Sequence, residues 1–472
     1  MRPPIFPAPI RRIRGLIGSL ILAGLGACAP APGPNPSPDV TKTRIETIVL
    51  PTVLPPVQRF APSPGMPPFR SNASLAVDFL ELEFSLESGR RLPVFTRFDP
   101  GITVRLMGDI PPMAADEVAR LTARLQSEAG VTLIPTPGDA ALTITFLPRR
   151  VLQSNDPGVA CFVIPGISTW PAYQAKRGSD DLDWTRLLRR DKAAIFIPSD
   201  VSPQEMRDCL HEELAQAIGP LNDLYRLSDT VFNDDNFHTV LTGFDMLMLR
   251  VHYDPALSNG MSEADVAARL PAILARLNPN GERPGPAQPS PTPDSWKRAV
   301  DTAFAPASSP PARLRAAKAA VRIATQSGWR DSRMAFSLFA LGRASLSQDG
   351  TMAVRAFAQS ATLYRGLPDA QVQAAHIDMQ LAALALSQGR SDAALQLTTQ
   401  SIPVAMKAEN AALLATLMMI RAEALGVQGR QTEADTQRQQ SLGWARYGFG
   451  SGLDLAARIA AIAALVPPGF RG

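Results

Sequence analysis

Histidine is almost missing from this chain: four in 472 residues. Cysteine is rarer still, at three, so a Cys-rich metal cluster is excluded. The five tryptophans and five tyrosines are scattered, which leaves no aromatic platform for stacking bases. There is no glycine-rich phosphate loop and no serine-nucleophile elbow. Beyond the N-terminal run, no stretch of about 20 apolar residues exists to span a bilayer. Nucleotide-driven enzymes, serine hydrolases of the elbow type and polytopic membrane proteins are thereby set aside.

The N-terminus is where the chain declares itself. Arg11, Arg12 and Arg14 precede an apolar run from Leu16 to Leu25, followed by Gly26-Ala27-Cys28. A basic start, a short apolar core and small residues form a secretion signal, too short for a membrane span. Leu25-Gly26-Ala27-Cys28 resembles the bacterial lipobox, which implies that Cys28 carries lipid and begins the mature chain; the alternative is an ordinary signal peptide with a chance cysteine. Ala29 is not Asp, which by the same resemblance favours the outer membrane, facing the periplasm. Arg11-Arg12 is only a faint match to a twin-arginine signal. The net charge is +4, and the signal contains Arg2, Arg11, Arg12 and Arg14 with no acidic residue. The mature chain is therefore neutral, and its basic isoelectric point gives no ground for a nucleic-acid partner. Cys161 and Cys209 remain as an even pair in an oxidising compartment and are expected to form a disulfide. Two buried free thiols are the alternative.

Five segments follow from composition and patterning. Residues 1–27 are the signal, and 28–73 comprise the lipidated cysteine and a proline-rich tether that cannot bury a core and is expected to be disordered. Residues 74–277 read as an α+β domain, 278–293 as a proline-rich linker, and 294–464 as helical repeats. Within the α+β domain, strands are expected at Phe79–Leu86, Leu92–Phe98, Ile102–Met107, Val131–Ile134, Ala141–Leu147, Cys161–Ile164 and Ala193–Ile197. A helix covers Pro112–Ala129. Another starts near Ser202, with Pro203 in its first turn and Glu205 three residues after the cap, and ends at Gly219-Pro220. In the C-terminal region Ala353, Ala394 and Ala434 recur at spacings of 41 and 40, each near a Gly that ends one helix as the next begins. Such hairpins must stack to bury a core. The pattern resembles tetratricopeptide repeats, at a longer spacing than that family uses; an irregular helical bundle is the alternative.

Chemistry concentrates at His211-Glu212-Glu213-Leu214-Ala215-Gln216, which runs on to Gly219 and Asn222-Asp223. A zinc peptidase needs two histidines four apart on one helix face. His211 is followed four positions on by Ala215, so that motif is broken. The stretch resembles a family of bacterial lipoproteins known only as a domain of unknown function, with the pattern Cys-x-x-Glu-Glu-x-x-Gln-x-x-Gly-x-x-Asn-Asp. Cys209, Glu212, Glu213, Gln216, Gly219, Asn222 and Asp223 match it. The similarity continues through Val231-Phe232-Asn233-Asp234, Leu241-Thr242, Asp245, Leu249-Arg250, Tyr253-Asp254-Pro255 and Gly260-Met261.

More distantly, the segment is similar to metzincin peptidases. With Gly219 aligned, Glu212, Gln216 and Asn222 fall on the three ligand positions and Glu213 on the catalytic glutamate, while Phe232 stands at the methionine turn. The resemblance implies a degenerate zincin-like domain. One carboxylate and two amides are a poor set for zinc and suit a hard ion better, if any. No metal ligand or cofactor is assigned, zinc is disfavoured, and His211, His238 and His252 lack ligand spacing. His211 is expected on an exposed or half-buried side of the helix, with Glu212, Gln216 and Asn222 satisfying one another. The candidate cleft residues are His211, Glu212, Glu213, Gln216, Asn222 and Asp223, with Glu213 the only candidate for catalysis. Asp180-Asp181-Leu182-Asp183 lacks the spacing of a calcium loop and reads as a solvated turn.

The expectation is an outer-membrane-anchored periplasmic lipoprotein that binds an envelope protein or peptide through its repeats. Its membrane contact is lipid on Cys28. The alternative is an envelope hydrolase, a peptidase with Glu213 as general base.

Overall fold

The computed structural model describes residues 54–61, 65–154, 158–285, 290–450 and 452–470. The expectations for the signal peptide, for Cys28 and for residues 29–53 lie outside the described residues. No helix among the described residues is long and apolar enough to cross a membrane. The chain divides into two compact units: residues 61–293 with 368–370, and residues 54–60 with 294–367 and 371–470.

The first unit opens with helix α1, Asn72–Glu83, capped by Ser71, whose hydroxyl accepts from the Ser74 amide at 3.3 Å. This corrects the strand expected at Phe79–Leu86. Leu75, Phe79 and Leu82 are all buried, and spacings of four and three put them on one helical face. The strand expected at Leu92–Phe98 is also absent. Ser85 and Arg91 form an isolated bridge, and the Phe95 amide donates to the Met261 carbonyl at 2.8 Å. That segment is held by side-chain burial and loop contacts, without a ladder.

Then follow β1 (Ile102–Gly108), α2 (Ala114–Arg124, continued by a wider turn over Leu125–Ala129), β2 (Leu133–Pro135), β3 (Leu142–Leu147), α3 (Arg149–Leu152), β4 (Phe162–Pro165), α4 (Trp170–Lys176), β5 (Ala193–Pro198) and α5 (Pro203–Ile218). Two further helices, α6 (Gly243–His252) and α7 (Glu263–Leu277), close the unit. The five strands lie in the order β2-β1-β3-β5-β4. Only β4 runs antiparallel to its neighbour. Strands β3 and β5 are central and buried almost throughout, as expected where both faces of a parallel sheet are covered. Alternation divides β5 between two cores: Ile195 and Ile197 join the main cluster with Leu210 and Leu214 of α5, while Ala194 and Phe196 join Trp170 and Tyr173 on the opposite face. Cys161, just before β4, is bonded to Cys209 of α5, tying the edge strand to the central helix.

The second unit is all-helical. Its nine helices among the described residues are α8 (Asp294–Phe304), α9 (Pro310–Gln326), α10 (Ser332–Ser345), α11 (Gly350–Arg365), α12 (Gln371–Ser387), α13 (Ser391–Lys407), α14 (Ala411–Val427), α15 (Gln431–Phe449) and α16 (Leu453–Ala463). Each packs on the next in sequence. Ala353, Ala394 and Ala434 sit in the opening turns of α11, α13 and α15, fully buried. Gly389 and Gly429, at φ 71° and 76°, end α12 and α14 in a left-handed turn that glycine adopts without a Cβ clash. The following amides, of Arg390 and Arg430, return to the Ala385 and Leu425 carbonyls at 2.9 and 3.0 Å. Residues 54–60, expected as disordered tether, instead lie against α15, held by Phe60, which is buried.

Candidate functional site

Helix α5 begins as its sequence dictates: the Ser202 hydroxyl accepts from the Glu205 amide at 3.1 Å, and Pro203 has no amide hydrogen to lose. Every residue from Cys209 to Ile218 is buried. The helix therefore runs through the interior, not along a surface. Glu212 and Glu213 are 2% and 1% exposed. A general base must reach the proton it removes, and a carboxylate this enclosed presents almost no face to a substrate.

The far end of α5 is fixed by a buried cation. Arg190 donates to the carbonyls of Gln216 and Ala217 at 3.1 and 2.9 Å, where the helix leaves acceptors unfilled and negative potential gathers. Burial lowers the Arg190 pKa, opposed by nearby Glu83. Gly219 follows the helix at a crowded point, where a Cβ would lie 2.5 Å from Leu249 Cδ2 of α6 and 2.9 Å from the Ala215 carbonyl oxygen.

Beyond Gly219, residues 220–242 hold no helix or strand, yet most are buried. Side chains fill the role of a ladder here. Asn222 Nδ2 donates to the Glu81 carbonyl at 2.9 Å. Asp245 accepts from the Thr242 amide at 2.7 Å and the Val231 amide at 3.3 Å, and from the Thr230 hydroxyl, capping α6 in the same stroke. Burial lifts the Asp245 carboxyl to about 6, against those hydrogen bonds. Asp229 is lifted to about 7, chiefly by burial, although it pairs with Arg70. Phe232 is fully buried.

The sequence-derived candidates do not converge as a ligand set. His211 is buried, not half-exposed, because its Nδ1 accepts from the Leu241 amide at 3.1 Å and so pins the loop to α5. Burial, with Arg207 and Arg124 nearby, holds its pKa well below the usual imidazole value. His238 Nε2 meets the Ser228 carbonyl at 2.8 Å, and His252 Nδ1 meets Glu83 Oε1 at 2.6 Å. Each imidazole thus serves a different partner. The mutual contact expected of Gln216 and Asn222 is corrected as well: Gln216 Nε2 points to Asp223 Oδ1, at a long 3.4 Å, and Asn222 turns to Glu81.

Among the described residues, one set of three side chains places ligand atoms within 4.8 Å of one another: Glu87, Asp223 and Asp234. Three carboxylates offer hard oxygen and suit a calcium- or magnesium-like ion better than zinc. Only Asp223 was singled out from the sequence. Asp234 stands in the Asn233-Asp234 pair of the motif, a signal that pointed near it. Glu87, in the turn after α1, lies more than 130 positions earlier in the chain and carries no local signal.

Residues 72–272 match a family described as a protein of unknown function (DUF2927). No curated protein and no solved structure matches the chain.

Proposed function

We propose that this chain is a periplasmic lipoprotein held to the outer membrane through lipid on Cys28. In this reading a non-catalytic, zincin-like domain accompanies a tetratricopeptide-like helical unit that binds an envelope protein or peptide. The observation that carries it is the way the polar residues of α5 and of the loop after it are used. His211, Gln216 and Asn222 hold the loop, Asp223 and α1 in place, while Glu213 is enclosed. Positions that would serve chemistry in a metzincin serve structure here. Zincin ancestry draws support from the order β1-α2-β2-β3-α3-β4-α4-β5-α5, from the glycine that ends α5, and from a closing helix, α6. The binding role draws support from the sequential stacking of α8–α16, since stacked helices present extended surfaces to peptides and helices. Capture from cross-linked envelope tests it: a partner should be recovered with the full chain and lost when residues 294–464 are deleted. Equal capture without those residues, or no capture at all, would contradict the reading.

A second reading, an envelope peptidase with Glu213 as general base, draws on one observation. Gln216 lies three residues after Glu213, on the same helix face, and contacts Asp223 of the carboxylate trio. A stoichiometric hard cation, together with hydrolysis abolished in Glu213→Gln, would establish it over the first.

A further inference from the structure

Residues 54–60 belong to a proline-rich stretch with no core of its own, yet they are seated on α15 by three kinds of contact. The Phe60 ring stacks on Trp444 with centroids 4.4 Å apart at 30°, and meets Tyr447 edge-on at 6.3 Å. Trp444 and Tyr447 are three residues apart and so share a helix face. The Gln58 amide donates to the Gly443 carbonyl at 3.2 Å, and Arg446 donates to the Pro55 carbonyl. The helix thus reads both an N–H and a C=O of an extended backbone. Gly443 makes the approach feasible: a Cβ there would lie 2.5 Å from Gln58 Cγ and 3.0 Å from the Pro56 carbonyl oxygen. A mid-helix glycine weakens a helix relative to alanine, so its presence under the passing chain has a specific steric use. Pro55 and Pro56 pre-set an extended backbone, which lowers the conformational entropy lost on seating it.

We propose that this face of α15 is a binding site for an extended, proline-bearing peptide with an aromatic residue four or five positions on, and that residues 54–60 fill it in cis as an exchangeable strap. The inference deepens the binding reading above by placing the peptide, and rests on it for the existence of an outside partner. Any competing peptide must displace a strap that is already tethered, at an effective concentration on the order of millimolar.

Two assays on the full chain bearing Cys28→Ser test this without an envelope partner, so their failure is distinct from failure of the capture experiment. Arg59 lies within the strap, and trypsin should cut after it slowly in the parent but at least about tenfold faster in Phe60→Ala and in Gly443→Ala. Alanine is a better helix former than glycine, so α15 should stay folded in Gly443→Ala, with an unchanged circular dichroism spectrum as the control. A labelled peptide with the sequence of residues 54–61 should bind the Phe60→Ala chain at least about tenfold more tightly than the parent, and should not bind Phe60→Ala/Gly443→Ala. Equal cleavage in all three chains, or equal peptide binding to the single and double variants, would overturn the proposal.

Discussion

Each unit of this protein is built around a buried helix, and the two helices could hardly differ more in what they bury. Helix α14 buries Leu413, Leu414, Leu417, Met419 and Ile420, with Thr416 its one buried hydroxyl. Helix α5 is enclosed just as fully but carries Gln204, Arg207, His211, Glu212, Glu213 and Gln216 inside. An apolar helix is stabilised by the area it removes from water, and needs only partners of matching shape. A polar one is tolerated inside only where each group finds a partner. The irregular but buried loop after Gly219 supplies two of those partners, the Leu241 amide for His211 and Asp223 for Gln216, and the disulfide to Cys161 adds a covalent hold. The comparison teaches that α5 specifies its surroundings residue by residue, whereas α14 asks for little beyond volume.

That contrast can be broken in order of expected size. Removing the bridge with Cys209→Ser should destabilise the α+β unit by about 4 kcal/mol on the chain-entropy model and leave the helical unit unchanged. Denaturant unfolding followed separately in the two units measures this, and an equal loss in both would mean that they do not fold independently. Leu414→Ala should cost the helical unit about 3 kcal/mol, within the range for large-to-small changes in a close-packed core, with no effect on the α+β unit. Asp245→Ala removes the carboxylate half of the α6 capping box and two further acceptor contacts, to the Val231 amide and the Thr230 hydroxyl, and should cost the α+β unit about 1–2 kcal/mol.

The smallest effect is a pH dependence. His211 is held neutral in the fold, with its pKa below the unfolded 6.5, so an unfolded chain takes up a proton there that the folded chain refuses. Its stabilising contribution is full above pH 6.5 and declines as pH falls below that value. Asp229 and Asp245, raised to about 7 and about 6, work in the opposite sense: their contribution is full below the unfolded 3.8 and is lost as pH rises through those values. Replacing His211 by Gln removes one term and keeps the others. The variant should therefore gain on the parent as pH falls from 7 to 5, by at most about 1.4 kcal/mol per pH unit. Parallel stability curves for the two proteins would refute the assignment of His211 as a neutral acceptor.

Much of the fold could be read from the residues, because its signals are local. Ser202, Pro203 and Gly219-Pro220 bracket α5 to within a residue, and the strand expected at Ala141–Leu147 is β3. The recurrent alanines fall at buried helix starts, and the even cysteine pair is bridged. The misreadings also have physical causes. Phe79–Leu86 is rich in apolar residues, which suits a strand as well as a buried helix; the spacing from Leu75 through Phe79 to Leu82 was the deciding clue. His211 was misplaced because its partner is a backbone amide 30 residues away, which no side-chain pattern encodes. Glu87 meets Asp223 and Asp234 only through the path of the chain. The seating of Phe60 on Trp444 joins residues nearly 400 positions apart.

In the proposed reading, α5 follows the frame of a zinc helix but lacks the nitrogen donors to hold zinc. Metal content of the purified full chain bearing Cys28→Ser, after equilibration with zinc and gel filtration, tests it most directly. Well under a tenth of an equivalent of zinc is expected, unchanged in His211→Ala. One zinc per chain, lost on that substitution, would contradict the account and restore a metallohydrolase.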